Sequence, residues 1–228
     1  MLKKRLSPSE LLLIAVNLIP VWGVWFEGWD PREVFFVYCL ETVIIGLFTL
    51  VRFAIAGSVK KTDVWNKTET TVTKMPTLFF MVFFLIHYGF FVAVQLTIFL
   101  EVSGAERSFG ISNPWQFVTN FTTYLSKPNQ WLLLAFVISY GFVMIKDFLW
   151  TGAYKTTPLN VIMFEPYGRI FVQQFTVIVG SMFLGFGAGK AFITIFVLFK
   201  LLVDVLIDYR RIISIAARKQ ALAESRKQ

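Results

Sequence analysis

Six apolar runs constrain this 228-residue chain more than any other feature, at 9–27, 34–56, 77–100, 130–150, 169–187 and 191–209. As a helix, each spans or nearly spans the ~30 Å of bilayer hydrocarbon. The runs are continuous, not alternating, which selects helices over barrel strands. The expected fold is therefore all-α: a polytopic membrane helix bundle of about six transmembrane helices. Residues 1–211 would form the transmembrane domain. Residues 212–228 would be a charged cytoplasmic tail prolonging the last helix. The apolar stretch after MLKKR continues into bulky Trp and Phe residues, unlike a cleavage site, and reads as a retained first helix.

A formal net charge of +8 would suggest nucleic acid in a soluble chain. Here the cations lie between and after the apolar runs. Of 22 Lys and Arg residues, Lys200 falls inside a helix. With the N-terminus inside, only Arg32, Arg107, Lys127 and Lys190 fall outside, leaving seventeen on the inner side. This positive-inside bias places both termini in the cytoplasm and the protein in the cell inner membrane. The expected partner is the lipid bilayer, not nucleic acid, with a homo-oligomer or larger membrane complex left open. The lone cysteine, Cys39, excludes an internal disulfide framework. No Walker loop, dinucleotide fingerprint, HExxH or GxSxG occurs, so no soluble catalytic domain is indicated and the cofactor stays unknown.

The loops add detail. GWDPRE at 28–33 carries turn chemistry. Residues 57–75 form a polar, lysine-bearing connection. The longest connection, 101–129, is aromatic enough to lay a short amphipathic helix in the interface.

Polar residues inside spanning segments are costly and tend to face a bundle interior. At a rise of about 1.5 Å per residue, Glu41 lies about 10 Å deep, Asn17 about 13 Å and Lys200 about 15 Å. His87, the only histidine, lies with Gln174 and Asp204 at about 20 Å. These six residues are the candidates for ligand binding or proton handling. Lys200 and Asp204 share one helix face and can pair. Such a pair can equally be a structural ion pair that fixes helix packing. His87 is either a ligand or a core histidine bonded to Glu41 or a carbonyl. A metal site of His87, Glu41 and Asp204 is chemically possible, although Lys200 beside it opposes a cation. One histidine excludes bis-histidine haem within the chain. Arg169, at the inner end of the fifth run, binds a lipid phosphate or Glu165, or snorkels, which is the default.

NLIPVWGVWFEGWDPREVFFVYCLETVIIGLFTLVRF, FFLIHYGFF, EPYGRIFVQQFTVIVG and LFKLLVDVLIDYRR together resemble DUF6498, a family of bacterial integral membrane proteins of unknown function. The likeness runs from about Asn17 to Arg211. It implies that Glu41, His87, Tyr88, Arg169, Lys200 and Asp204 stand at the family's polar positions. It also implies histidines where this chain has Gln174 and Asp208, which weakens a multi-histidine metal or haem centre here.

The leading expectation is a non-enzymatic multi-pass membrane protein. Its polar cluster of Glu41, His87, Lys200 and Asp204 would serve small-solute or proton transport, or ligand binding. The alternatives are a membrane metal- or haem-binding redox protein or enzyme, and an accessory subunit of a larger complex with a purely structural cluster. A cluster open to solvent would favour the first. A sealed one would favour structure.

Overall fold

The computed structural model describes residues 7–67, 71–103, 110 and 114–206. Helix α1, Pro8–Phe26, begins with a capping box. Ser7 Oγ accepts from the Glu10 amide at 3.2 Å, and Glu10 Oε2 accepts from the Ser7 amide at 2.8 Å. The chain then turns at Gly28, which takes φ +69°. Trp29 folds back onto α1, its amide donating to Gly23 O at 3.0 Å. A Cβ at Gly23 would lie 2.2 Å from the Trp29 ring, so only glycine permits that turn.

Helix α2, Pro31–Val59, starts from an Asp30 cap that accepts from the Arg32 amide at 2.8 Å. Its 29 residues span about 43 Å, well over the hydrocarbon thickness. Residues Val34 to Thr42 are all buried, because α2 is the axis of the bundle. It packs against α3 (Thr77–Ser103), α6 (Lys127–Val143), α8 (Leu159–Gly185) and α9 (Gly189–Leu206). Helix α1 lies against α6 and α9. Two buried apolar clusters follow, sharing α2. One centres on Phe35, Tyr38, Phe136 and Phe196, the other on Phe53, Phe84, Phe148 and Ile162.

Four described helices are long and apolar enough to cross a membrane: Pro8–Phe26, Pro31–Val59, Thr77–Glu101 and Lys127–Trp150. The mostly helical character agrees with the sequence. Other boundaries moved. The fifth run, expected to begin at 169, belongs to a helix that starts at Leu159 and carries Pro166 within it. Proline is tolerated inside such a helix because neighbouring elements re-satisfy the freed carbonyl. The lysine-bearing connection holds an antiparallel hairpin, β1 (Thr62–Lys67) with β2 (Val72–Pro76), irregular between Val64 and Asn66. Tertiary contacts hold it. Trp65 meets Phe79, Phe80 and Phe83 edge-on at 4.9–5.5 Å. Asp63 Oδ2 accepts from the Leu159 amide at 2.8 Å, capping α8. Two short helices, α4 (Pro114–Thr119) and α5 (Phe121–Tyr124), occupy part of the long connection, with Trp115 exposed. Beyond Val143, α6 widens into a π-helix over Met144–Trp150. A single turn, α7 (Ala153–Thr156), leads to α8. The tail expected over 212–228 lies outside the described residues.

Helices α2 and α3 approach closely at Gly46, where a Cβ would lie 2.7 Å from Tyr88 Cε1. Gly89, on the same helix pair, has nothing within 4 Å of its Cβ position. Gly46→Ala is expected to cost about 1–3 kcal/mol through overpacking, and Gly89→Ala to stay within ~0.5 kcal/mol. Thermal unfolding of both variants in detergent checks the contrast.

Candidate functional site

Helix α2 carries Glu41 into the centre of the bundle, where its residue exposure is 0%. A carboxylate there needs a cation or several donors. Both are present. Lys200 of α9 donates from Nζ to Glu41 Oε2, forming a salt bridge. Tyr140 of α6 donates from its hydroxyl to Glu41 Oε1 at 2.6 Å. Lys200 Nζ also donates to Asn17 Oδ1 of α1 at 2.7 Å. The amide nitrogen of Asn17 donates to Leu13 O at 2.8 Å, which orients that oxygen toward the ammonium. The Tyr38 hydroxyl donates to the Asn17 carbonyl at 3.2 Å. The rings of Tyr38 and Phe136 lie 4.7 Å and 5.1 Å from Nζ, a cation–π contact on its remaining face. Asn17 and Lys200 are 1% and 3% exposed, so the ion pair and its Asn17 partner are buried.

The two directions along α2 from this network differ. Toward Pro31, Phe35 meets Phe99, Phe192 and Phe196 at 5.1–5.7 Å, and Tyr38 meets Phe196 at 4.7 Å. This is a dry aromatic layer. Toward Val59, Tyr140 borders a cavity of about 60 Å³ that Thr49, Arg52, Glu165 and Pro166 also line. Its volume suits about two waters. Beyond it Arg52 Nη1 and Glu165 Oε2 form a second ion pair at 2.9 Å, with the guanidinium 4.7 Å from the centre of the Phe148 ring.

Of the six residues expected at one depth, the structure brings Asn17, Glu41 and Lys200 together. His87 stands apart. It is exposed on α3, and its Nδ1 lies 2.7 Å from the Tyr167 hydroxyl of α8. The side chains of Gln174, Asp204 and Arg169 lie outside the described residues. Among the described residues no group of three or more His, Cys, Asp or Glu could hold a metal ion. Glu41 and His87 each have other partners and do not converge.

Sequence reasoning missed Tyr140, Tyr38 and Arg52, and offered Glu165 as a partner of Arg169, whereas the structure pairs it with Arg52. Arg52 read as one more inner-face cation. Its signal was spacing: eleven residues after Glu41, it falls on the same face of α2. Tyr140 had a signal too, standing in mid-run and not at an interface.

These features define a class: a mostly helical protein with helices of membrane-crossing length and composition, and an ion pair locked in its core. The chain belongs to DUF6498, a family of unknown function, whose model matches residues 1–226. No curated protein and no solved structure matches it.

Removing one partner of a sealed pair strands a buried charge, whereas removing both need not. Lys200→Met is therefore expected to destabilise by about 3–5 kcal/mol. The double variant Glu41→Gln/Lys200→Met should recover most of that loss. Denaturant or thermal unfolding in micelles, with the two singles and the double in parallel, measures it.

Proposed function

We propose that this chain is a six-pass protein of the bacterial inner membrane, with both termini cytoplasmic. Its Glu41–Lys200 network would be the occluded centre of a route for protons, alone or with a small solute. Helices α8 and α9 are the fifth and sixth spans in this reading. The Lys and Arg distribution supports the orientation: seventeen against four. One observation carries the route. Lys200, Glu41 and Tyr140 are joined in series, and Tyr140 borders a mainly apolar cavity whose charged groups are Arg52 and Glu165.

In the proposed orientation the Val59 end of α2 is cytoplasmic. The cavity bordered by Arg52 and Glu165 then faces inward and the aromatic layer closes the outward half. A proton reaching the cavity can pass to Glu41 through the Tyr140 hydroxyl, which both donates and accepts. Protonating Glu41 would neutralise the partner of Lys200 and leave a buried ammonium held by Asn17 and two rings. That state is strained, so it favours either proton return or rearrangement of α9. Outward passage would then require Phe35, Phe192 and Phe196 to part.

A second reading has one observation behind it: the network is sealed, as expected of a structural fastener in an accessory subunit. Flux separates the two. In proteoliposomes with an internal pH dye and an imposed potassium diffusion potential, the wild type should pass protons faster than empty vesicles. Tyr140→Phe should slow passage about tenfold, equivalent to ~1.4 kcal/mol on the barrier. The Glu41→Gln/Lys200→Met double should fall to the empty-vesicle rate while remaining folded. Wild-type flux equal to that of empty vesicles, or a double variant with full flux, leaves only the fastener.

The orientation has its own check. Single cysteines replacing Ser126 or Lys61 in a Cys39→Ser background should react with a membrane-impermeant maleimide from opposite sides. Ser126→Cys should label in intact cells, and Lys61→Cys only after lysis. Reversed labelling would overturn the topology.

A further inference from the structure

His87 is separate from the Glu41 network and in an unusual position. It lies ten residues into α3, or about 15 Å along the helix, and only about 5 Å from the midpoint of that element. Its neighbours on the exposed face are Leu85, Ile86 and Phe90, at 57%, 68% and 66% exposure. In the proposed membrane placement, this is an imidazole facing lipid near the bilayer centre. Its Nδ1 is bonded to the Tyr167 hydroxyl at 2.7 Å. Phe83 stacks on the ring at 5.3 Å and 14°, and Phe91 stands edge-on at 5.1 Å and 65°. The ring is thus held at one nitrogen and braced on its sides. Nε2 has no hydrogen-bond partner among the described residues. The contact fits either tautomer; we assign the Tyr167 hydroxyl as donor to Nδ1, which puts the ring proton of a neutral imidazole on Nε2. Hydrocarbon offers that N–H no acceptor, and leaving it unmet is costly.

We propose that this face of α3 and α8 binds a lipid-soluble molecule with a planar, carbonyl-bearing ring, the quinone class. The Nε2–H of His87 would donate to the carbonyl oxygen, with Tyr167 orienting the imidazole through Nδ1. Phe91 and the half-exposed Phe164, whose ring lies 5.9 Å from that of Tyr167, supply flat apolar walls. An apolar tail would lie along Leu85, Ile86 and Phe90. Depth excludes phospholipid esters, which sit at the hydrocarbon boundary, roughly 15 Å from the midplane of a ~30 Å core. A second copy docked by the same face is disfavoured by chemistry. A two-fold contact presents the same patch twice. Among the described residues, apart from His87 and Tyr167 themselves, that patch offers aromatic and aliphatic side chains.

The single histidine makes the test specific. Protein carrying ¹⁵N-imidazole histidine, reconstituted in nanodiscs, gives ring-nitrogen signals from His87 alone. Titration with a short-chain benzoquinone or naphthoquinone should shift the Nε2 signal saturably. Equilibrium binding of the same quinone should weaken about tenfold or more in His87→Leu and in Tyr167→Phe. Both positions tolerate the change, since a lipid-facing leucine is native to this surface and phenylalanine keeps the Tyr167 ring. The Glu41→Gln/Lys200→Met double should bind quinone as the wild type does, so failure of the proton route leaves this site standing. A non-saturable response, or unchanged affinity in both variants, overturns the proposal. So does an Nε2 signal that moves with protein-to-lipid ratio before quinone is added, which would assign the face to a second copy.

Discussion

The ion pair between Lys200 and Glu41 sets the terms for the rest of the bundle. It joins α9 to α2, and the groups that make it tolerable arrive from elsewhere: Asn17 from α1 and Tyr140 from α6. A charge at this depth cannot relax into water, so each helix is tied to one register by its contribution. Sliding α9 by one residue would turn Lys200 about 100° away from Glu41. The net stabilisation of such a pair against an apolar substitute is small or negative. Its effect is discrimination: every arrangement that leaves either charge unpaired is heavily penalised.

The surroundings of the pair are asymmetric, and two helix irregularities fall on one side of it. The π-helical stretch Met144–Trp150 contributes Met144 and Phe148 to the cavity lining, and Pro166 contributes from α8. A π-helix turns each following side chain relative to an α-helical path, and such segments recur at functional sites. Here the widening puts Phe148 beneath the Arg52 guanidinium. Proline at 166 donates no amide hydrogen to the preceding turn. On the other side of the pair α1 carries Pro20 within it, yet phenylalanines of α2, α3 and α9 interdigitate there in a buried layer.

Depth was legible in the sequence, and direction around each helix was not. Continuous apolar runs and a fixed rise per residue were enough to put Asn17, Glu41 and Lys200 at compatible heights, and the structure joins them. The same bookkeeping grouped His87 with them, because height along an axis says nothing of which way a side chain points. Tyr88, one residue later, turns inward and donates to Thr42 O at 2.8 Å. With α3 apolar on every side, no amphipathic stripe marked its inner face. The hairpin escaped for a different reason. TDVWNK and VTKMP carry the Thr, Val and Trp that favour strands, but they are short; Trp65 packed on α3 and Asp63 bonded to α8 hold them, and such contacts are invisible before the helices are placed. Pro166 misled because proline ends helices in water more readily than in a bundle whose neighbours satisfy the freed carbonyl.

A membrane protein can keep a polar side chain in hydrocarbon in two ways: seal it among partners, or present it to something that completes it. Glu41 and Lys200 follow the first course, with partners on four helices. In the proposed binding site His87 would follow the second, with Tyr167 as its hydrogen-bond partner among the described residues. Tyr88 separates the two physically, its ring stacked on Phe84 at 4.7 Å and its hydroxyl committed to α2. Among the described residues no hydrogen bond runs from the His87–Tyr167 pair to the Glu41 network, but the Tyr88 ring meets that of Tyr167 at 5.9 Å and its hydroxyl bonds to Thr42, next to Glu41. Coupling between them would pass through a movement of α3 against α2, which is restricted both at Gly46, where the Tyr88 ring meets the α2 backbone, and at Gly57, where Thr77 does.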